Sequence, residues 1–595
     1  MGNKKRSQSL LGGAAILMIT TVIVHLINLF YKIPLTSVIG TVGRGYFNTT
    51  YELYTPLYAI SMAGLPVAVS KIVSEHMARK EYNDVRQVRQ VARKLYFAFG
   101  LAGSLLMVAL AWPYEAYVEN YTNLKLCIFL LAPAIFFCCM MSSYRGYYEG
   151  LRNMKPTGYS QVIEAVIKCF VGIGLAMGVR SYGLKQYEST GVVFGTACKD
   201  MTEFASIIAP YTAAGAVLGV TVGTVLGLIY LQIRHIVVKD GITSEMLLEA
   251  PPVQRDQKGM AKYIFSFSIP VMTTSLILNI TNLIDSSTIN NRLKYAIGKD
   301  FDTVYNMYAE QIQNSNILDK DIGAFLYGAY ATAFDFRNLI PSVIMTLGLS
   351  AIPVLSGAYA IKDKEQMKGA IQTVLKTATL LAVPAGLCMA VLAEPILKIF
   401  YIGGNAEASI SITTPYVQVF GIFALLLSIS TPITNMLQSV NRADVPVKSL
   451  CVAAGVKIIS NLILVSIPVI NIKGAPVGTI LFYCIIIFLN LRTLLKETQV
   501  KINWYDTFGK PILAGGTAAL ACWGTYVLFE HILPAGAAGS RNAGFTYATI
   551  IAAIVAVAVW VVALFLFKVL SKDFVEGLPK GKKIAKILEK RGLIG

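Results

Sequence analysis

The chain has 595 residues, of which 55% are hydrophobic and 14% charged, with a formal charge of +19 at pH 7 and a mean hydropathy of +0.59. Soluble domains carry about 25% charged residues, so this composition excludes a soluble globular protein. The positive excess needs no nucleic acid, because cationic loops lying on an anionic leaflet account for it.

A spanning helix needs ~20 mostly apolar residues. In chain order such stretches fall at 10–38, 46–74, 93–113, 123–145, 158–179, 206–234, 263–290, 323–360, 370–393, 409–438, 449–470, 475–495, 508–532 and 544–570. The expected fold is therefore all-α, a polytopic membrane protein of about 14 transmembrane helices. Residues 1–30 begin basic and run on apolar without a convincing small-residue cleavage site, and they read as an uncleaved first helix.

Short cytoplasmic loops retain positive charge. With the N-terminus inside, cytoplasmic segments and their helix ends hold 36 of the 52 Lys and Arg, outer loops 12 and the membrane four. Both termini are thus expected in the cytoplasm and the chain in the plasma membrane. Eight of the nine cysteines fall in expected helices, with neither disulfide nor metal-ligand spacing, and read as packing residues.

An internal echo divides the chain. Displacement by 284 residues brings Gly64, Leu65, Lys80 and Glu81 onto Gly348, Leu349, Lys364 and Glu365. A second echo pairs the loop ending at Pro156 with the loop ending at Pro446, with Lys168 and Lys457 at 12 and 11 residues beyond. The expected organisation is an N-lobe at 1–235, a cytoplasmic linker at 236–262, a C-lobe at 263–495, two further helices within 505–570 and a basic tail at 571–595. A parallel repeat of six helices usually builds a substrate site near the midplane and alternates access by rocking.

Charges within spans are costly, at least ~2.5–3.5 kcal/mol at the bilayer centre, and normally face protein or a wet cavity. They are Lys32, Glu52, Glu164, Lys168, Asp285, Asp335, Arg337 and Lys457. With Arg44, Arg145 and Arg292 near helix ends, the excess is cationic. Glu164 and Lys168 stand i, i+4 and can neutralise each other. Lys32 either snorkels or faces the cavity, Arg145 either fixes topology or binds substrate, and His25 reads as a packing histidine. Such cations suit an anionic head group, Arg by its planar fork and Lys as a point charge.

Two segments carry a resemblance: Gly64-Leu65-Pro66-Val67-Ala68-Val69-Ser70-Lys71, and Tyr144-Arg145-Gly146-Tyr147-Tyr148-Glu149-Gly150 running through Lys155-Pro156-Thr157 to Ser160-Gln161-Val162-Ile163-Glu164. They resemble the stage V sporulation protein B group, a polysaccharide-biosynthesis branch of the multidrug/oligosaccharidyl-lipid/polysaccharide flippase superfamily related to MurJ-type lipid II flippases. The resemblance covers nearly the whole chain. It implies two lobes around a cationic cavity for the pyrophosphate and sugars of a lipid-linked precursor, with the last two helices forming a groove for the polyprenyl tail. By position, Lys32 and Arg337 match the arginines of helices one and eight in MurJ-type proteins. The helix-two arginines of that type have no counterpart, and Glu52 is the charge there.

The expected function is a flippase, not an enzyme, moving an undecaprenyl-pyrophosphate-linked saccharide, foremost lipid II, to the outer leaflet. Arg337, Lys32, Lys168, Lys457 and Arg145 are the expected substrate-binding residues. Asp285, Glu52, Glu164 and Asp335 are candidates for ion coupling, with the membrane potential or a sodium or proton gradient as the energy source. No cofactor or metal is expected. The expected partners are the lipid-linked saccharide and membrane lipids, no nucleic acid, and the chain is expected to be a monomer. Alternatives are a flippase for another polyprenyl-linked unit, a cation-coupled drug exporter, which the cationic excess disfavours, and a sugar-transferring enzyme. For the last, Asp319-Lys320-Asp321 supplies a D-x-D, but in an outer loop where a solvated charge cluster is the simpler reading.

Overall fold

The computed structural model describes residues 10–62, 65–118, 121–151, 153–253, 256–401, 406–440, 442, 444–532 and 543–570, with some side chains inside helices excepted. The chain divides into two compact units, Met1–Gly328 and Ala329–Gly595.

The first unit holds α1 (Leu10–Met62), α2 (Leu65–Ala78), α3 (Tyr82–Val118), α4 (Leu124–Gly150), α5 (Lys155–Thr190), a small hairpin of β1 (Val192–Val193) and β2 (Thr196–Ala197), α6 (Met201–Val238), α7 (Ser244–Glu249), α8 (Gln257–Lys299), α9 (Phe301–Met307) and α10 (Ala309–Asn314). Helix α11 (Ile322–Ala360) starts in the first unit and continues into the second. The second unit then holds α12 (Lys364–Val391), α13 (Ala393–Tyr401), α14 (Ile410–Ile422), α15 (Ala424–Ser439), α16 (Asp444–Leu464), α17 (Ala475–Thr498), α18 (Lys510–Ile532) and α19 (Ala543–Leu566).

The all-α architecture follows from lipid, where every backbone donor and acceptor must be satisfied within the segment. Among the described residues nine helices are long and apolar enough to cross a bilayer, and α14 with α15, bent by 49°, pass together. The expected spans at 10–38, 46–74, 263–290 and 323–360 fall on α1 with α2, α8 and α11, whose side chains are described only in part.

Two expected helices with a seven-residue gap are instead joined at one residue. Within α1 the break sits at Gly40, with φ 73° and ψ 175°. That region is open essentially to glycine alone, so one residue ends the first helix and starts the second. The Val38 carbonyl oxygen beside the break accepts from Arg180 of α5 at 3.2 Å. Elsewhere helix starts are capped by carboxylates. Asp200 accepts from the Thr202 and Glu203 amides, Asp256 from Gly259 and Asp363 from Gln366, each satisfying amides that no turn of helix can reach.

Helices α5 and α6 pack through small residues. A methyl at Gly219 would come within 2.3 Å of the Gly172 Cα, so the two backbones touch there. Close approach through small residues is a common basis of helix packing in lipid, where water supplies no hydrophobic drive between helices. It fixes the face of α5 that carries Gln161, Glu164 and Lys168.

Both sequence echoes fall near helix ends that share a turn geometry. Lys80 (φ 60°) and Lys362 (φ 57°) end their helices in the left-handed region. Glu81 donates its amide to the His76 carbonyl at 2.9 Å, and Asp363 donates to Ala358 at 3.0 Å. Lys80 thus corresponds to Lys362, an offset of 282 and not 284. In the second echo Asn153 donates to Tyr148 at 2.9 Å and Arg442 to Leu437 at 3.0 Å, an offset of 289, which Lys168 and Lys457 share.

The connection after α6 is strapped to α3. Asn83 Nδ2 donates to the carbonyls of Leu247, Ala250 and Pro251 at 3.2, 3.4 and 3.0 Å, and Arg86 pairs with Asp240 at 3.3 Å. The expected linker at 236–262 lies within the first unit. Of the D-x-D residues, Asp319 and Lys320 are exposed, as expected of a solvated cluster, but Asp321 is buried. That burial raises its carboxyl above the ordinary range. All nine cysteines are free thiols. The basic tail at 571–595 lies outside the described residues.

Candidate functional site

The first unit holds a partly open cavity of about 300 Å³, with a mixed polar and apolar lining, between α1, α4, α5 and α6. Its wall is built from two helical periodicities and two single polar residues. Tyr51, Tyr54 and Tyr58 stand i, i+3 and i+7 on α1, one face of a helix, and all three line the cavity. Their rings form a row, with centroids 5.6 Å apart between Tyr51 and Tyr54 and 5.3 Å between Tyr54 and Tyr58. Gln161, Glu164 and Lys168 supply one face of α5 in the same way. Asn28 on α1 and Arg145 near the end of α4 complete the polar lining.

The charges are matched across helices. Arg145 is 4% exposed; its Nη2 donates to Glu164 Oε2 at 2.9 Å and contacts Met141 Sδ at 3.2 Å, while its Nε donates to Ser160 Oγ at 2.9 Å. A buried arginine with this many partners is part of the interior, and a role in topology alone does not describe it. The ion pair that Glu164 forms is therefore with α4, 19 residues away in sequence, and not simply along its own helix. Lys168 donates to Asn28 Oδ1 and lies over the Tyr31 ring at 5.4 Å. Gln161 Oε1 is buried and has no hydrogen-bond partner among the described residues.

The second unit carries its own cations. The Lys457 ammonium, on α16, is buried and lies 5.4 Å over the Phe482 ring. Arg337 on α11 is half-buried; its guanidinium sits 4.3 Å from the Phe334 ring centre and 5.5 Å from that of Phe420, and Nε donates to Asn338 at 3.3 Å. No ion pair to Arg337 occurs among the described residues. Such stacking holds a guanidinium in place while leaving its fork of N–H groups for an acceptor.

The expected site residues thus separate. Arg145, Glu164 and Lys168 come together at the first-unit cavity. Asp335, Arg337 and Lys457 belong to the second unit, and Asp335 is buried. Asp285, on α8, is buried and Glu52, on α1, half-buried; neither lines this cavity. Lys32 and His25 lie on α1, and their side chains are outside the described residues.

Residues that charge counting misses are the tyrosine row, Asn28 and Gln161. Their signal was present, since tyrosines at helical spacing and amides inside apolar helices are polar groups in need of partners. The Tyr144–Gly150 segment also anchors α6, through Tyr147 to Asp240 at 2.8 Å and Tyr148 to His235 at 2.8 Å. At the turn from α2 to α3, His76, Glu81 and Asp84 are buried with their donor atoms within 4.8 Å of one another, and His76 Nδ1 meets Glu81 at 2.5 Å.

Comparison with known proteins gives two matching family models, a polysaccharide biosynthesis protein model over residues 10–192 and the MatE model over 318–463. The lipid II flippase MurJ of Bacillus subtilis (strain 168) is 23% identical over 490 residues, covering 80% of this chain and 81% of the relative. Stage V sporulation protein B of the same organism is 20% identical over 577 residues, covering 96% and 98%. A structure of the lipid II flippase MurJ in an inward closed conformation superposes with a TM-score of 0.54 at 15% identity, covering 93% of this chain and 98% of that one. The last shows a shared polytopic transporter fold.

Proposed function

Because the chain is homologous to MurJ and to stage V sporulation protein B, we propose that it is a flippase, a transporter and not an enzyme, which moves a polyprenyl-pyrophosphate-linked saccharide from the inner to the outer leaflet by alternating access. Lipid II is the saccharide carrier we assign first. The observation that carries this reading is the placement of intramembrane cations on protein and aromatic surfaces, foremost Arg337 over Phe334 and Phe420 with its N–H fork unengaged by any carboxylate among the described residues.

In this reading Arg337 of the second unit receives the pyrophosphate and Lys457 adds positive potential there, while Lys32 is a substrate-binding candidate by its sequence position alone. Lys168 and Arg145 act from the first-unit cavity. An inside-negative potential contributes ~2.3 kcal/mol per charge per 100 mV, favouring outward movement of an anionic head group and inward return of the cationic empty carrier. Asp285, Glu52, Glu164 and Asp335 are the groups through which an ion would couple. The protein works as a monomer in the plasma membrane with both termini in the cytoplasm.

The test is complementation. The chain is expressed in a bacterium whose only lipid II flippase can be depleted, and growth is followed together with lipid II in the outer leaflet. Restored growth with restored surface lipid II is expected. Failure at normal membrane abundance rejects lipid II. The MatE match over 318–463 favours a second reading, export of cationic drugs; drug resistance on expression that disappears when a sodium or proton gradient is collapsed would establish it instead.

A further inference from the structure

We infer that the first-unit cavity is a binding site for an uncharged ligand rich in O–H and N–H donors, the sugar portion of the carried lipid, and that Gln161 is its specificity-determining residue. This deepens the flippase reading and rests on it.

Charge decides what the cavity admits. A phosphate would approach the Glu164 carboxylate, and the cations that would attract it are engaged: Arg145 by Glu164 and Ser160, Lys168 by Asn28 and the Tyr31 ring. Like charges at contact distance in a protein repel more strongly than in bulk water. A cationic drug would find aromatic faces in Tyr51, Tyr54 and Tyr58, a favourable surface for a cation. It would also meet two cations against one carboxylate in the same wall. Neither ion fits as well as a neutral molecule.

Polarity decides which neutral molecule. Gln161 lines the cavity, and its Oε1 is buried with no hydrogen-bond partner among the described residues; an apolar ligand leaves that acceptor unsatisfied. A ligand bearing hydroxyl or amide N–H groups satisfies it once the side-chain amide turns into the cavity. The tyrosine row offers flat apolar ring faces with hydroxyls at their edges, and a sugar ring presents the complement, C–H groups on its faces and hydroxyls around its rim. The volume, about 300 Å³, lies at the small end of ligand pockets and suits one or two rings, not a whole lipid-linked precursor. Sites built to hydrogen-bond a ligand group reject analogues that lack it far more strongly than apolar pockets do, so Gln161 sets the selectivity.

The experiment uses the full chain, purified in detergent, titrated by calorimetry with two probes, the N-acetylglucosamine disaccharide chitobiose and the hexose disaccharide maltose. Inorganic pyrophosphate and tetraethylammonium serve as competitors. At least one disaccharide should bind, neither ion should displace it, and Gln161→Leu should weaken binding at least tenfold. Gln161→Asn, which keeps the amide and shortens its reach, should give an intermediate loss, and thermal melting confirms that each variant is folded. Binding of neither sugar, displacement by either ion, or equal affinity in both variants overturns the inference. Lipid transport is followed in parallel. Transport without sugar binding removes the cavity assignment and leaves the flippase standing, whereas sugar binding without transport of any lipid-linked saccharide does the reverse.

Discussion

The Arg145 guanidinium donates to the Glu164 carboxylate at 2.9 Å, joining α4 to α5 inside the membrane-embedded part of the first unit. Removing one partner of a buried pair leaves the other charge uncompensated and costs ~3–5 kcal/mol, while replacing both with apolar groups of similar size is often neutral or stabilising. Glu164 is 22% exposed, which places the single-variant cost near ~3 kcal/mol. Arg145→Met and Glu164→Met should each lower the melting temperature in detergent, and the double variant should recover most of the loss. Additive losses would show that the two side chains do not act as a pair.

Arg337 tests the transport reading. Loss of a hydrogen bond to a charged group costs ~1.5–3 kcal/mol. Arg337→Ala should therefore reduce surface delivery of the lipid-linked saccharide ~10–150-fold at unchanged membrane abundance. Arg337→Lys keeps the charge and loses the fork, and should fall between. Full activity of the alanine variant removes Arg337 from the substrate path.

The contact between Gly219 and Gly172 should be intolerant of bulk. A methyl at Gly219 already meets backbone atoms at 2.3 and 2.4 Å. Gly219→Val must then separate α5 from α6, and overpacking of this kind typically costs ~1–3 kcal/mol. The check is thermal melting and yield of folded protein from the membrane; an unchanged melting temperature would mean that the helices approach less closely than described.

Asn83 holds the connection between α6 and α8 through three carbonyl oxygens. Asn83→Ala leaves those carbonyls without this donor, and ~1–2 kcal/mol of local stability is at stake. Limited proteolysis of residues 239–257 should accelerate ~5–30-fold, with melting of the transmembrane helices little changed. Unaltered cleavage would place the hold on Arg86 and Asp240 instead.

Asp321 gives a pH dependence. Burial raises its carboxyl above the unfolded value, so the folded state holds this proton more tightly. Its contribution is most favourable at acidic pH, below the unfolded value, and is lost as pH rises through the folded one. Asp321→Asn should raise the melting temperature at pH 7 more than at pH 4. A gain that is the same at both pH values would separate the effect from titration.

The sequence by itself determined the membrane architecture, because spans of about 20 apolar residues have no other stable home. It also exposed charges such as Glu164, Lys168 and Lys457, each costly in lipid and conspicuous in an apolar run, but passed over Lys376, which is buried and paired with Asp506. The tertiary structure decided which charges meet. Glu164 and Lys168 share a helix face, yet Glu164 pairs with Arg145 of α4 and Lys168 reaches Asn28 and Tyr31 of α1. Those partners lie 19 and 140 residues away, and no periodicity along one helix encodes them. The same holds at Gly40, where a single left-handed residue replaces an expected loop, and at Asp321, whose burial depends on the surface that folds over it. Local pattern fixes what each segment is, through lipid and backbone hydrogen bonding; packing between distant segments fixes what each side chain touches, and therefore what the cavity can bind.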